Sequence, residues 1–431
     1  MKQLILSFAV LVLTISVAQA QIDNLTNLSP EWVRTGARNA ALDAADAVVY
    51  NPAGVSRLAE GWHVALGNQS FFRKPSHSYN LGYGEVKHRQ DGNDMIVPNL
   101  YAAYRKRKIS GFAGVYISGG GATANYPEGS INTELISMMS LMNAEGAYEA
   151  YYNQYFKANS YYLTWLFGAS YAVSDNLSFS ASVRLLNAKN KIQAGTTLTM
   201  SPYDLPDMPI VLDVENKAGG AGVMIGLNHM INENTNIMVR YESKVKLEFK
   251  NKVKTDDTGL FPDEQKSRRD FPAVLATGLG SNLTDKLRLS AEYSIYFQKS
   301  ADWGTTLTEN GEVSVSGLAG DVSVFGLAAE YKTSEKLLIS AGTMYTFFNY
   351  ADKAGYYTVP GAFETVPGSN LSLNAGFCYS ISPKAKLNLG IAKIFWKKDE
   401  QILIKNLLPA EVPATINNEM LAIGAGINFS F

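Results

Sequence analysis

Apolar and polar residues alternate along most of this chain. At the C-terminus Leu421, Ile423, Ala425, Ile427, Phe429 and Phe431 share one face, and Ala422, Gly424, Gly426, Asn428 and Ser430 the other. Upstream, Leu371, Leu373, Ala375, Phe377, Tyr379 and Ile381 alternate with Ser372, Asn374, Gly376, Cys378 and Ser380. Leu177, Phe179, Ala181, Val183 and Leu185 alternate with Ser178, Ser180, Ser182 and Arg184. The pattern recurs over 237–249, with Ile237, Val239, Tyr241, Val245, Leu247 and Phe249 on the apolar face, and again over 287–297. Successive side chains of a strand point to opposite faces, so each segment predicts a strand with one apolar and one polar side. Strands of soluble sandwiches average about 5–6 residues. These run to eleven or more, the ~9–11 that a tilted strand needs to cross a bilayer.

Short polar turns join the strands in pairs, at 105–108, 174–176, 232–234, 284–286, 334–336 and 382–384. Long polar or irregular stretches separate the pairs, near 119–158, 192–217, 251–269, 300–320, 350–368 and 398–417. Tight turns at one end and long loops at the other are the pattern of an outer-membrane barrel. Counting back from Phe431 predicts strands near 418–431, 385–397, 369–381, 337–349, 321–333, 287–299, 270–283, 235–250, 218–231, 177–191, 159–173, 109–118, 95–106 and 62–72. That is fourteen, an even number, as closure with both ends on one side demands. The stretch 77–90 either extends the first hairpin or forms a loop. The expected fold is all-β, a 14-stranded antiparallel transmembrane β-barrel over 62–431.

The first residues read differently. Lys2 precedes an apolar run from Leu4 to Val17, and Ala18-Gln19-Ala20 has the small-x-small form of a cleavage site. Residues 1–20 are therefore expected to be a secretory signal peptide. Residues 21–61 are rich in Ala and in turn formers and do not alternate. The run through Ala37, Ala40, Ala41, Leu42, Ala44, Ala45, Ala47, Val48, Val49 and Tyr50 is too apolar to stay solvated. The expectation is a plug inside the lumen rather than a disordered periplasmic tail.

Composition narrows the function. The formal net charge is −1 and charged residues make up 18% of the chain, so no basic footprint for nucleic acid exists. The single cysteine, Cys378, and four histidines without H-x₃-H spacing offer no disulfide framework and no zinc signature. There is no G-x-S-x-G, Walker loop or H-E-x-x-H. Neither a cofactor nor a catalytic residue is expected, and no enzyme.

The stretch Gly36–Gly54, Ala- and Asp-rich and closing on Asn51-Pro52-Ala53, resembles the start of the FadL/TodX family of outer-membrane transporters of long-chain fatty acids and other hydrophobic compounds. The resemblance covers about twenty residues in motif and the rest of the chain in architecture. It implies a hatch at 21–61 with Asn51, Pro52 and Ala53 as its motif. It also implies lateral exit into the membrane through a kink in the third strand, Ile109–Ser118. There Gly111 and Gly114 are the candidate gate residues, because Gly inside a strand permits a kink. One departure concerns the loops. The family gathers substrate on apolar helical segments of the third and fourth outer loops, whereas here the most apolar insert is the second, 133–157. Within it Leu135, Met138, Met139 and Met142, then Tyr148, Tyr151, Tyr152, Tyr155 and Phe156, recur at i, i+3, i+4 spacing and predict a helix, with Gly146 breaking it in two. It is either a lid on the barrel rim or a ligand groove.

Arg184, Arg240, Glu242, Lys244, Lys246, Glu248, Arg288, Glu292 and Glu330 lie on the polar faces of their strands. A cation facing lipid at the midplane costs roughly 2–4 kcal/mol, so these charges are expected to face the lumen or sit near an interface. Most would form ion pairs across strands. Arg184, Arg240 and Arg288 are the candidates for a fatty-acid carboxylate, since the planar fork of Arg suits it. The expected partners are a hydrophobic small molecule and outer-membrane lipid, not nucleic acid, and the expected state is a monomer in a Gram-negative-type outer membrane. A non-transporting docking barrel of a secretion system and a general porin are the other readings of the same scaffold.

Overall fold

The computed structural model describes residues 26–80, 82, 84–120, 123–308, 311–404 and 411–431. The signal peptide expected at 1–20 and the first residues of the expected hatch, 21–25, lie outside them.

Fourteen antiparallel strands close on themselves: β1 Gly61–Arg73, β2 Asn93–Lys106, β3 Ile109–Gly120, β4 Ala150–Ala172, β5 Leu177–Thr199, β6 Met208–Asn232, β7 Thr235–Glu242, β8 Ala273–Asn282, β9 Leu287–Phe297, β10 Val322–Lys332, β11 Leu337–Phe348, β12 Asn370–Ser382, β13 Ala385–Trp396 and β14 Glu419–Ser430. Each pairs with its sequence neighbours, apart from the seam, where β1 pairs with β14 from His63↔Ser430 to Arg73↔Met420. Backbone bonds between Trp62 and Phe431 in both directions, 3.1 and 2.9 Å, finish the closure. Closure leaves no open edge, the condition for a sheet in lipid.

The alternation sets the faces. On β12 Leu371, Leu373, Tyr379 and Ile381 are exposed, while Ser372 and Asn374 are buried in the lumen. On β5 Phe179, Val183 and Leu185 face out and Ser178, Ser182 and Arg184 face in. Exposed aromatics ring the turn end (Trp62, Tyr104, Tyr171, Tyr331, Tyr379, Phe431) and the loop end (Tyr345, Phe347, Phe395), the two girdles of an outer-membrane barrel.

The outer parts differ from the expected loops. β4, β5 and β6 are 23, 23 and 25 residues long, far beyond a membrane crossing, and continue outward as a ribbon. Its outer stretch carries polar side chains on the exposed face, including the Lys189–Glu215 and Lys217–Glu215 pairs. The helix expected over 133–157 ends early. Helix α3, the third in chain order, spans only Ile131–Asn143, and Gly146 turns the chain at φ 85°. Tyr148 lies in the turn, and Tyr151, Tyr152 and Tyr155 belong to β4, where Tyr151 and Tyr152 pair with Leu198 and Thr197. The Tyr-rich run favours a strand, and the extended β5 supplies its partner. The 77–90 stretch joins 398–417 in a separate four-stranded sheet over the barrel mouth: Ser76–Asn80, Glu85–Arg89, Glu400–Ile404 and Val412–Asn417.

A second correction falls on β7. Between the pairs Glu242↔Met224 and Lys250↔Lys217, β7 and its continuation Glu248–Asp256 carry one residue more than β6. One extra residue exchanges the two faces. Ile237, Val239 and Tyr241 face lipid, but Val245, Leu247 and Phe249 are buried inside. Lys244, Lys246 and Glu248, expected in the lumen, are exposed on the outside. The bend passes over Gly220 and Gly222 of β6, where a Cβ on Gly220 would lie 2.5 Å from the Lys246 carbonyl oxygen.

Candidate functional site: a filled lumen and the chamber above it

Residues 26–60 occupy the lumen. Helix α1 (Pro30–Thr35) starts at Ser29, whose Oγ accepts from the Trp32 N–H, and stops at Gly36 in the left-handed region. A four-residue helix α2 (Ala47–Tyr50) leads into a 3₁₀ turn, Pro52–Arg57. Asn51 explains the Asn-Pro-Ala motif. Its Oδ1 accepts from the Gly54 N–H at 3.1 Å, and its Nδ2 donates to the Ala41 carbonyl at 3.1 Å and to Asn228 of β6 at 2.9 Å. Pro52 opens the turn, where its missing N–H costs nothing. Ala53 is fully buried, and its carbonyl accepts from Ser178 of β5 at 2.9 Å.

The three candidate arginines are engaged by the protein itself. Arg240 donates to the carbonyls of Val49, at 2.6 Å, and Tyr50. Arg288 donates to the Ala40 carbonyl at 2.9 Å and to Asn236 at 3.0 Å. Arg184 pairs with Glu242 and donates to the Ser243 carbonyl at 2.8 Å, at the bend of β7. Two of them hold the lumen segment and the third holds a strand. Glu292 accepts from the backbone N–H groups of Arg38 and Asn39, both at 2.8 Å.

Sequence reasoning passed over four charges inside the lumen segment, Glu31, Arg34, Arg38 and Asp46, all buried. Arg34 donates to Glu330 at 2.6 Å, Ser340 at 3.1 Å and Asn388 at 3.1 Å. Arg38 grips Asp46 through two bonds, 3.0 and 2.6 Å. Glu31 accepts from Asn388 at 2.9 Å and Asn428 at 2.8 Å. Burial, reinforced by the nearby Asp46, pushes the Glu31 carboxyl up to about 7. The available signal was an Arg, Glu and Asp scatter in a segment too apolar for water, since a charge buried in such a place needs a built partner.

The glycines expected at a kink lie in regular strand. Gly111 faces open space, and a Cβ on Gly114 would touch the Tyr101 ring at 3.0 Å. The irregularity of β3 falls higher. Pairing with β2 ends at Asn99↔Tyr116, and the register with β4 shifts between Ile117 and Gly119.

Above α1 lies a chamber with about 840 Å³ of atom-free space, part of it continuous with solvent. Trp32 and Asn27 line it from the lumen segment, Phe71 and Arg73 from β1, Phe348 from β11 and Trp396 from β13, while residues 365–368 line it from an outer loop. That loop continues from Phe363, which packs on His77 at 5.7 Å between ring centroids. His77 Nε2 accepts the Ile131 N–H at 3.1 Å and so caps α3. Burial, with His88 beside it, holds His77 well below the ordinary imidazole range. Met138 and Met139 of α3 are half-buried and Met142 is exposed; none of the three lines this chamber.

Residues 10–431 match the model of the outer membrane protein transport protein family (OMPP1/FadL/TodX). The chain belongs to this family. Its members are outer-membrane transport proteins, and the fourteen-stranded barrel is that of solved relatives. The toluene transporter TbuX of Ralstonia pickettii is 19% identical, with 95% of this chain and 99% of that one covered, at a TM-score of 0.62. A Pseudomonas aeruginosa FadL homologue is 13% identical, with 95% and 100% covered, at 0.67. The Pseudomonas putida toluene transporter TodX is 14% identical, with 95% and 99% covered, at 0.62. At these identities the likeness is one of fold. No curated protein matches the sequence.

Proposed function

We propose that this outer-membrane barrel takes up long-chain fatty acids or chemically similar lipophiles, with residues 21–61 acting as a hatch and release sideways into the membrane at the irregular part of β3. The observation that carries this reading is the chamber. It is floored by Trp32 of the hatch and walled by Phe71, Phe348, Ile394 and Trp396, so a lipophile held there rests directly on the element that blocks its path. A general porin is disfavoured because residues 26–60 fill the lumen with bonded side chains.

The release point is argued from the ladder. Beyond Tyr116, β3 leaves β2, and Tyr116, Ile117 and Ser118 are all buried rather than alternating, as expected where a strand turns inward. Two of the structural relatives carry toluene transporter in their names, so a monoaromatic hydrocarbon is the natural competitor. Accumulation of labelled oleate, toluene and a small sugar by cells with and without the protein tests the reading. Uptake of oleate without sugar supports it. Uptake of toluene alone moves the substrate to small aromatics, and no uptake of either lipophile sinks it.

A further inference from the structure

We infer that the outward face of the β4–β6 ribbon binds the phosphate groups of an anionic outer-leaflet lipid, through a row of lysines laid across adjacent strands at the height of the lipid head groups. Such an anchor is independent of what the chamber carries.

Register builds the row. Lys189 of β5 lies opposite Lys217 of β6, Lys217 opposite Lys250, and Lys250 opposite Lys266 of the short strand Lys266–Arg268. Residues directly opposite share a face, and all four lysines are exposed. On β4 the row begins at Tyr161, which is opposite Lys189 and also exposed; tyrosine is a residue of the membrane interface. Leu185, the last exposed apolar residue on the outward face of β5, lies four residues below Lys189, about 13 Å along the strand. That distance carries the chain from acyl tails to head groups, where the long stem of a lysine lets its ammonium settle among phosphates. The bend of β7 completes the row. Its extra residue turns Lys246, Lys250 and Lys252 outward, where unbroken alternation would put them in the lumen.

Like charges directly opposite destabilise a sheet, and the protein offsets this only in part. Glu215 is shared between Lys189, at 2.6 Å, and Lys217, at 2.8 Å. Asp213 is shared between Lys191, at 3.8 Å, and Lys254, at 3.5 Å. Lys266 pairs with Glu248 at 2.7 Å, and Lys250 with Glu264. Lys157, Lys246 and Lys252 are exposed on the same face and have no ion-pair partner among the described residues. Asp256, Asp257 and Asp263, nearer the outer end, accept backbone N–H groups at 3.0 Å or less. Cations therefore outnumber the carboxylates that face them. Exposed ion pairs are weak, so a phosphate can draw the lysines away, and each lysine near an anionic lipid surface adds to binding. Continuity with the barrel wall selects a lipid over a free anion. Val183, Leu185 and Val223 are exposed directly below the row, an acyl-chain surface beneath a head-group surface. On β11–β13 the same rim is aromatic, with Tyr345, Phe347 and Phe395.

The test is equilibrium binding of fluorescent lipid A, and of the same lipid without its phosphates, to the purified full chain in neutral detergent micelles. Empty micelles are the blank. Lipid A is expected to bind, more weakly as salt rises. Lys189→Gln, Lys217→Gln and Lys250→Gln together should weaken it about ten-fold or more, while the three matching changes to Arg keep it. The same loss of charge at the turn end, Lys286→Gln with Lys332→Gln and Lys384→Gln, should change binding by less than about two-fold, since those charges lie beyond screening distance. Heat-modifiable gel mobility reports whether each barrel is folded. If the triple Gln variant fails to fold, Lys157→Gln with Lys252→Gln, which breaks no ion pair, decides, with a loss of about three-fold or more expected. Lipid A binding that is indifferent to these lysines overturns the assignment, as does equal binding of the phosphate-free lipid or an equal loss from the turn-end variant. Displacement of lipid A by an equal concentration of inorganic phosphate makes the row a small-anion site and overturns the lipid. A wild-type protein that binds no lipid A overturns it outright, and oleate uptake stands in every case.

Discussion

The floor and the roof of the chamber are built on opposite principles. The floor, built from residues 26–60, is densely bonded. Arg34, Arg38, Glu31, Asn51 and the backbone carbonyls of Ala40 and Val49 all have partners. The walls and roof are largely apolar and, among the described residues, leave donors of Arg73 and Trp396 without acceptors. A filled network of this kind holds one geometry, because losing any member strands a buried polar group. Of the arginines that sequence reasoning favoured for substrate, Arg240 and Arg288 therefore belong to the floor and Arg184 to the bend of β7, whereas Arg73, which it passed over, lines the chamber.

The largest effect should come from removing the floor. Deleting residues 26–60 is expected to turn a poorly conducting barrel into an open channel in planar bilayers; unchanged conductance would break the comparison. Next is Arg34→Ala, which leaves Glu330 buried and unpaired. Breaking a buried pair costs about 3–5 kcal/mol, read as a lower thermal midpoint and frequent channel openings.

Floor and roof should also respond to pH with opposite signs. Glu31 has a raised pKa in the folded protein, so its contribution is complete below the ordinary 4.5 and fades as pH rises through about 7. The effect is up to about 3 kcal/mol at one pKa unit per 1.36 kcal/mol. Channel openings should increase from pH 5 to pH 8, and Glu31→Gln, which mimics the protonated acid, should flatten that rise. The side chains facing Glu31 in this network are Asp46, Arg38, Arg34, Asn388 and Asn428. His77 is depressed, so its contribution is present above the ordinary 6.5 and is lost as pH falls below it. Protonation removes the acceptor that caps α3 and sets a cation at the positive end of that helix. Proteolysis near α3 should therefore increase in acid, less so in His77→Gln; acid-independent cleavage would count against the cap.

The smallest effects sharpen the account of β7. Val245→Ser should cost about 2–3 kcal/mol, since it puts a hydroxyl where a fully buried side chain packs. Lys246→Ser, on the exposed side, should stay within about 0.5 kcal/mol. Midpoints measured in urea would show the reverse order if the alternation ran unbroken through Ser243.

Period-two alternation, polar turns and an Ala-rich N-terminal stretch were enough to read fourteen strands, their faces and their closure from the sequence. Those signals are local, and lipid enforces them at every exposed position, so Leu371 or Phe179 needs no distant partner to declare its side. The motif Asn51-Pro52-Ala53 was legible only as a resemblance; its physical role, a cap and a turn, came from the structure. Four features were decided by the tertiary structure: the roles of the arginines, the exchanged faces after Ser243, the strand that claims Tyr151, Tyr152 and Tyr155, and the chamber under residues 365–368. Each depends on contacts between residues far apart in the chain, such as Arg34 with Glu330, 296 positions away. A one-residue surplus in β7 is visible only against the register of β6. Whether an arginine is satisfied depends on what the closed barrel brings within about 3 Å of it, which no run of neighbouring residues encodes.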